Sequence, residues 1–196
     1  GNRALAVHND IEYKSLNLKI NDGNKNVIIA SDLVESFIKE NKIEKYKVNF
    51  SIKGHELINT FCKHTLYDSG YNFEVPILHG DFVTTEQGTG IVHICPVHGM
   101  DDFILGKQHD LELPMTINES GIYYDHIPVF NGQHIFKVDQ NVCDEIKKNN
   151  NLISQGILVH SYPHSWRSKA PLVYKNTSQW FISCLLYTSD AADELR

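Results

Sequence analysis

GTGIVHICPVHGMDDF, residues 88–103, holds three glycines, two histidines, a proline and an acidic pair within sixteen positions. A plain core strand or amphipathic helix has no use for that mixture. Gly88 and Gly90 permit backbone angles or close approaches that a side chain blocks. Ile91, Val92 and Ile94 read as a short buried strand interrupted by His93, and Pro96 ends it. Gly99 then precedes Met100, Asp101, Asp102 and Phe103, a first helical turn with acids at its positive end. The stretch predicts a strand running through a turn into a helix, with His and Asp at the junction. The functional site is expected there.

Outward from this junction, strand signals outnumber helix signals. Residues 4–7, 46–52, 73–78, 91–94 and 158–161 are short and β-rich, bounded by Gly, Asn, Asp or Pro. Residues 26–30 predict a strand feeding a helix, with Ser31 as N-cap, Asp32 in the first turn, and Leu33, Val34, Phe37 and Ile38 as its apolar stripe. A helix is expected over 140–149, with Val142, Cys143 and Ile146 facing inward and Lys147 and Lys148 near its C-terminal end. Another is expected from Met100 to about His109. Short strands with a few interspersed helices predict an α+β domain on a β-barrel-like sheet with flanking helices.

A chain of 196 residues suggests one domain with a sizeable core. Its 41% hydrophobic and 21% charged content is that of a soluble globular protein. No apolar run approaches the ~20 residues that span a bilayer, and residues 1–13 lack the apolar region of a signal peptide. Cys62, Cys95, Cys143 and Cys184 are widely spaced without a CxxC pair, which predicts no disulfides, no structural zinc and a reducing, cytoplasmic setting. The net charge of -6 argues against autonomous tight binding to nucleic acid. A domain that touches RNA while a larger body supplies affinity remains compatible with it. Residues 162–181 combine prolines, cations and bulky aromatics without periodicity and read as a surface loop or a connection to a neighbouring body. After Ser183 the composition changes character; the first eleven residues that follow, 184–194, resemble a translated sequencing adapter, and residues 184–196 are treated as a non-native tail.

Several chemistries fit the junction. A metal could recruit His93, His98, Asp102 and His109, although the spacing lacks the helical HxxxH geometry of zinc hydrolases. Cys95 could act as a nucleophile with His93 or His98, yet a thiol at an apolar strand end is more often a small buried hydrophobe. The GTG run lacks both the lysine of a P-loop and the third glycine of a dinucleotide fingerprint. His93 reads equally well as a core histidine, and Asp101 as a solvated helix-start charge. Asp102 beside His98 at a glycine turn would suit a bound ammonium group. As a first-turn acid, Asp102 is expected to contribute under ~1 kcal/mol to stability.

The run from 88 to 103 resembles the signature of the editing domain of isoleucyl-tRNA synthetases. Relatives of the leucyl and valyl type place an acid directly after the histidine; here Gly99 follows His98 and the acids stand at 101 and 102. GNRALAVHNDIEY at 1–13 resembles the segment downstream of the family's threonine-rich motif, which would lie upstream of Gly1. IPVFNGQHIF at 127–136 resembles the later barrel region, and HSYPHSWRSKAPLVYKNTSQWF at 160–181 the return toward the catalytic core. The resemblance covers residues 1–183 and divides them into an editing domain at 1–161 and a return linker at 162–183. It implies hydrolysis of misacylated valyl-tRNA(Ile) by water attack on the aminoacyl ester, without metal or covalent intermediate. By the same resemblance, His98 and Asp102 are the catalytic pair. Asp102 would hold the α-ammonium, and His98 would orient water or substrate near the terminal adenosine. Gly88, Thr89, Gly90, His93, Gly99 and Asp101 are expected to contact the substrate. Trp166 and Arg167 read either as linker packing or as RNA contact. Ser165 and Ser168 stand where some relatives carry cysteines, so no zinc pair is implied. The expected partner is the acceptor end of tRNA(Ile), with no DNA, no membrane and a monomeric state. ATP and Mg belong to the catalytic domain of such an enzyme, whose two signature motifs are absent from these 196 residues.

Overall fold

The computed structural model describes residues 2–20, 23–157, 159–180 and 182. Its strands form two sheets. One holds β1 (Ala4–Val7), β5 (Phe61–Lys63), β6 (Glu74–His79) and β7 (Val92–Ile94) in the order β5-β6-β1-β7. The other holds β2 (Glu12–Ile20), β3 (Gly23–Ala30) and β4 (Lys45–Lys53) in the order β3-β2-β4. Among the described residues neither sheet closes into a barrel. The domain is α+β, as expected, with two open sheets in place of a barrel-like one.

β1 owes its central place to small residues. Ala4 and Ala6 are fully buried, so β6 can run parallel on one side and β7 antiparallel on the other. Ala4, Ala6, Leu78, Val83 and Ile94 then pack against Leu105 of α3 (Met100–Gln108), the helix expected there. β2 was not predicted as a strand, yet it anchors the second sheet. Tyr13, Ser15, Leu16 and Leu18 are all buried. Strict alternation breaks because the β2–β4 register shifts between Ser15 and Leu16. Asn49, passed over by that shift, donates to Ser15 Oγ at 3.4 Å, the local behaviour of a β-bulge. Against β2 and β3 pack Leu33 and Val34, at the start of α1 (Val34–Glu40), with Leu57 of the short helix α2 (Gly54–Leu57).

A third cluster joins Leu66, Tyr71, Phe130 and Val138 to Val142 and Ile146 of α4 (Asp139–Lys148). Cys143, expected inward beside them, is only half-buried. Two further expectations give way. Ser31 does not cap α1; its hydroxyl donates to Glu12 Oε2 at 3.1 Å across the sheet edge. Residues 159–161 form no strand, and Ser161 O instead meets His160 Nδ1 at 3.0 Å; Leu158 and residues 183–196 lie outside the described residues. Among the described residues no helix is long and apolar enough to cross a membrane.

Candidate functional site

The junction takes the predicted form. β7 pairs with β1 through Ile94, and the chain then buries Cys95, Pro96 and Val97. His98 N donates to Cys95 O at 2.9 Å, closing a tight turn. Gly99 is the N-cap of α3 in an extended conformation, and Phe103 N donates to its carbonyl at 2.9 Å. Asp102, one turn into the helix, reaches back so that Oδ2 accepts from Cys95 N at 2.9 Å. A Cβ on Gly99 would lie 3.0 Å from Asp102 Cγ, so a glycine here is a matter of space for that carboxylate. Asp102 therefore ties the helix start to the strand end. Removing it orphans the Cys95 amide, and the expected cost rises from under ~1 kcal/mol to about 1.5–3 kcal/mol for a charged hydrogen bond. Oδ1 makes no hydrogen bond among the described residues and is the free acceptor of the pair.

His98 is held at both ring nitrogens. Nδ1 donates to Tyr174 O at 2.8 Å, and Nε2 meets Thr116 Oγ1 at 2.6 Å. A carbonyl can only accept, so the neutral ring carries its proton on Nδ1 and accepts from the threonine hydroxyl at Nε2. Beside it lies a cavity of about 400 Å³, walled by Pro96 to Met100 and Phe103 on one side and by Tyr174 to Thr177 and Gln179 on the other. His98 and Gly99 line it; Asp102, Asp101 and His93 do not. His93 projects from β7 opposite Leu5 and is exposed, and Asp101 is an exposed first-turn acid.

Thr89 and Gly90 face the three-stranded sheet, while Gly88 is exposed with open space where a Cβ would stand. Thr89 O accepts from Ala30 N at 2.9 Å, and Gly90 O accepts from the Tyr13 hydroxyl at 2.8 Å. At Gly90, with φ +70°, a Cβ would come within 2.5 Å of Ala30 Cβ, so both conformation and space require glycine there. These residues dock the loop before β7 onto β2 and β3. The thiol alternative meets a physical objection, since burial pushes the Cys95 pKa up, away from a thiolate nucleophile. Among the described residues no three His, Cys, Asp or Glu side chains are placed to hold a metal ion. The Arg167 guanidinium lies 4.8 Å from the Trp166 ring centroid, and that ring is largely exposed.

No family model matches the chain. Over 185 residues it is 45% identical to an isoleucine–tRNA ligase of Pelagibacter ubique, a match covering 93% of this chain and 20% of that protein. It is 41% identical over 182 residues to the isoleucine–tRNA ligase of Colwellia psychrerythraea, covering 93% and 19%. The chain is homologous to a segment of the isoleucine–tRNA ligases. It spans about a fifth of the length of these ligases. In fold it is similar to the crystal structure of GlLeuRS-CP1, with a TM-score of 0.58 at 14% identity, over 84% of this chain and 80% of that one.

Sequence reading singled out the ligase-like run at 88–103 but missed Thr116, Tyr174 and Asn176, which complete its surroundings. Two of these act through backbone groups, Tyr174 O to His98 and Asn176 N to Val97 O. A backbone contact leaves no side-chain signature in a sequence. Thr116 is buried, and a single threonine in an irregular loop carries no pattern either.

Proposed function

We propose that this chain is an editing module of an isoleucine–tRNA ligase and hydrolyses valyl-tRNA(Ile) to valine and free tRNA. The observation that carries this reading is the match to isoleucine–tRNA ligases across 93% of the chain, on a fold shared with GlLeuRS-CP1. The physical need is a second sieve. A pocket that accepts isoleucine rejects valine by only about 1–3 kcal/mol, a figure established on isoleucyl-tRNA synthetase itself. Binding alone leaves misacylated product to be removed by hydrolysis.

At the β7–α3 junction Asp102 offers a carboxylate oxygen, Oδ1, that no group among the described residues occupies, suited to the α-ammonium of an aminoacyl ester. Fixing that ammonium fixes the ester carbonyl for attack by water, with no covalent intermediate. His98 shapes the wall next to it, since its ring nitrogens are engaged with Tyr174 and Thr116. The acceptor end of tRNA(Ile) is the partner this reading requires, and ATP and Mg would serve only the synthetic domain of the whole ligase.

Deacylation of valyl- and isoleucyl-tRNA(Ile) by a full-length ligase carrying this segment tests the reading. Asp102→Asn keeps an acceptor for Cys95 N but removes the charge, and it is expected to lower valyl-tRNA hydrolysis by about 10²-fold while the melting temperature holds. An unchanged rate sinks the role of Asp102. Hydrolysis abolished by chelators would point to a metal-dependent hydrolase, and acceptor-end binding without hydrolysis to a non-catalytic docking module.

A further inference from the structure

Residues 172–180 belong to no helix or named strand, and a few single contacts hold them across the junction. Asn176 N donates to Val97 O at 2.9 Å. Lys175 Nζ pairs with Glu119 Oε1 at 2.8 Å, and the lysine side chain is only 12% exposed. Tyr174 O accepts from His98 Nδ1 at 2.8 Å, and the far side of the same ring is pinned by Thr116 Oγ1 at 2.6 Å. His98 is thus the side chain at which three segments meet: the turn before α3, the loop around 116 and the stretch around 174. That stretch forms one wall of the cavity of about 400 Å³, and the turn forms the other.

We infer that residues 174–177 are a strap that closes this cavity and that His98 is its catch, a positioning residue. Chain without a ladder of its own opens at the low end of the local stability range. The strap therefore swings on the few contacts that hold it, and the imidazole supplies the central one. It presents a donor to Tyr174 O and an acceptor to the Thr116 hydroxyl at once, a pairing that few side chains offer. With the strap seated, Tyr174 and Thr177 stand over Gly99, Met100 and Phe103; with it lifted, that face of the junction opens to solvent. The strap and its catch rest on geometry alone. That an aminoacylated RNA end passes beneath it rests on the editing reading above.

Amide hydrogen exchange on this chain tests the catch with His98→Leu and His98→Gln. The glutamine amide also carries one donor and one acceptor end. Exchange at Asn176 N–H is expected to quicken about ten-fold in H98L and to return toward the original rate in H98Q, with the β1–β6 ladder unchanged in both. Equal Asn176 exchange in all three proteins overturns the proposal. Should H98L lose protection everywhere, T116V carries the test. It removes one anchor of the ring and leaves the strap's own hydrogen bonds to His98 and Val97 in place, and unchanged Asn176 exchange there overturns the catch. In a full-length ligase carrying the segment, H98L is expected to move KM for valyl-tRNA hydrolysis more than kcat. A collapse of kcat with Asn176 exchange unchanged would place His98 in the chemistry and end its role as catch. If the unaltered protein hydrolyses no valyl-tRNA while the exchange pattern holds, the catch stands and the editing reading falls.

Discussion

A Cβ at Gly54 would lie 1.9 Å from the carbonyl oxygen of His8, a distance no atom pair tolerates and no side-chain rotation relieves. Gly54 N donates to Ile11 O at 2.9 Å, so the backbone of α2 is drawn directly onto the strand connection between β1 and β2. Gly54→Ala is expected to cost 3 kcal/mol or more by the overpacking route, roughly the top of its usual range, read as a lowered urea midpoint. Gly99→Ala should behave differently. The neighbour there is the end of a side chain, so the fold adjusts at about 1 kcal/mol or less while the Asp102 carboxylate shifts. Deacylation should fall more than stability does. The sequence singled out Gly99 as the residue following His98 and, by the family resemblance, as an expected substrate contact. Gly54 carried no such mark. What it touches is a carbonyl 46 positions away (54 − 8), and backbone proximity over that distance is invisible in a string of residues.

At the scale of elements, legibility followed periodicity. α3 and α4 were found within a residue or two because their capping charges and apolar spacing are local. β1, β4, β6 and β7 were found because each is β-rich and bounded by breakers, and β3 was found over 26–30, its later part, as the strand feeding a helix. β2 was overlooked although Leu16, Leu18 and Ile20 alternate with Asn17 and Lys19; the bulge between Ser15 and Leu16 reverses the phase set by Tyr13 and breaks the pattern midway. It is nonetheless the strand on which the second sheet depends. Leu16→Ala and Leu18→Ala, both at fully buried positions, should each cost about 2–5 kcal/mol by chemical denaturation. β4 shows the opposite economy. It is an edge strand, and Tyr46, Val48 and Phe50 stand 45%, 43% and 53% exposed. Lys45, Lys47 and Lys53 punctuate them, the usual guard of an open edge against pairing with another chain. Replacing Lys45 and Lys47 together by Thr is expected to promote self-association, seen as concentration-dependent light scattering.

For the molecule as a whole, the α+β class was legible and the closure of the sheet was not, since closure depends on how edges meet rather than on what any strand contains. Stability should respond to pH through the third cluster. His64 stacks on Tyr71 at 4.8 Å between ring centroids, and burial pushes its pKa down from the ordinary 6.5 to about 4. The unfolded chain therefore binds the proton more readily between those two values, and stability falls as pH drops from 6.5 to 4, with no further loss from this group below that. His64→Phe, which keeps a ring on Tyr71, should flatten the melting temperature across that window. The pairing of β1 also carries a consequence for the order of folding. β2 and β3 pair from Ile20 and Gly23 outward, close neighbours in sequence, and can join as soon as both strands exist. β1 cannot, since Leu5 pairs with Ile77, 72 positions later (77 − 5), and with His93 later still. The loop closures it needs are among the slowest kind. Although β1 precedes every other strand along the described chain, it is the strand that must wait, and the junction carrying Asp102 is assembled only when that wait ends.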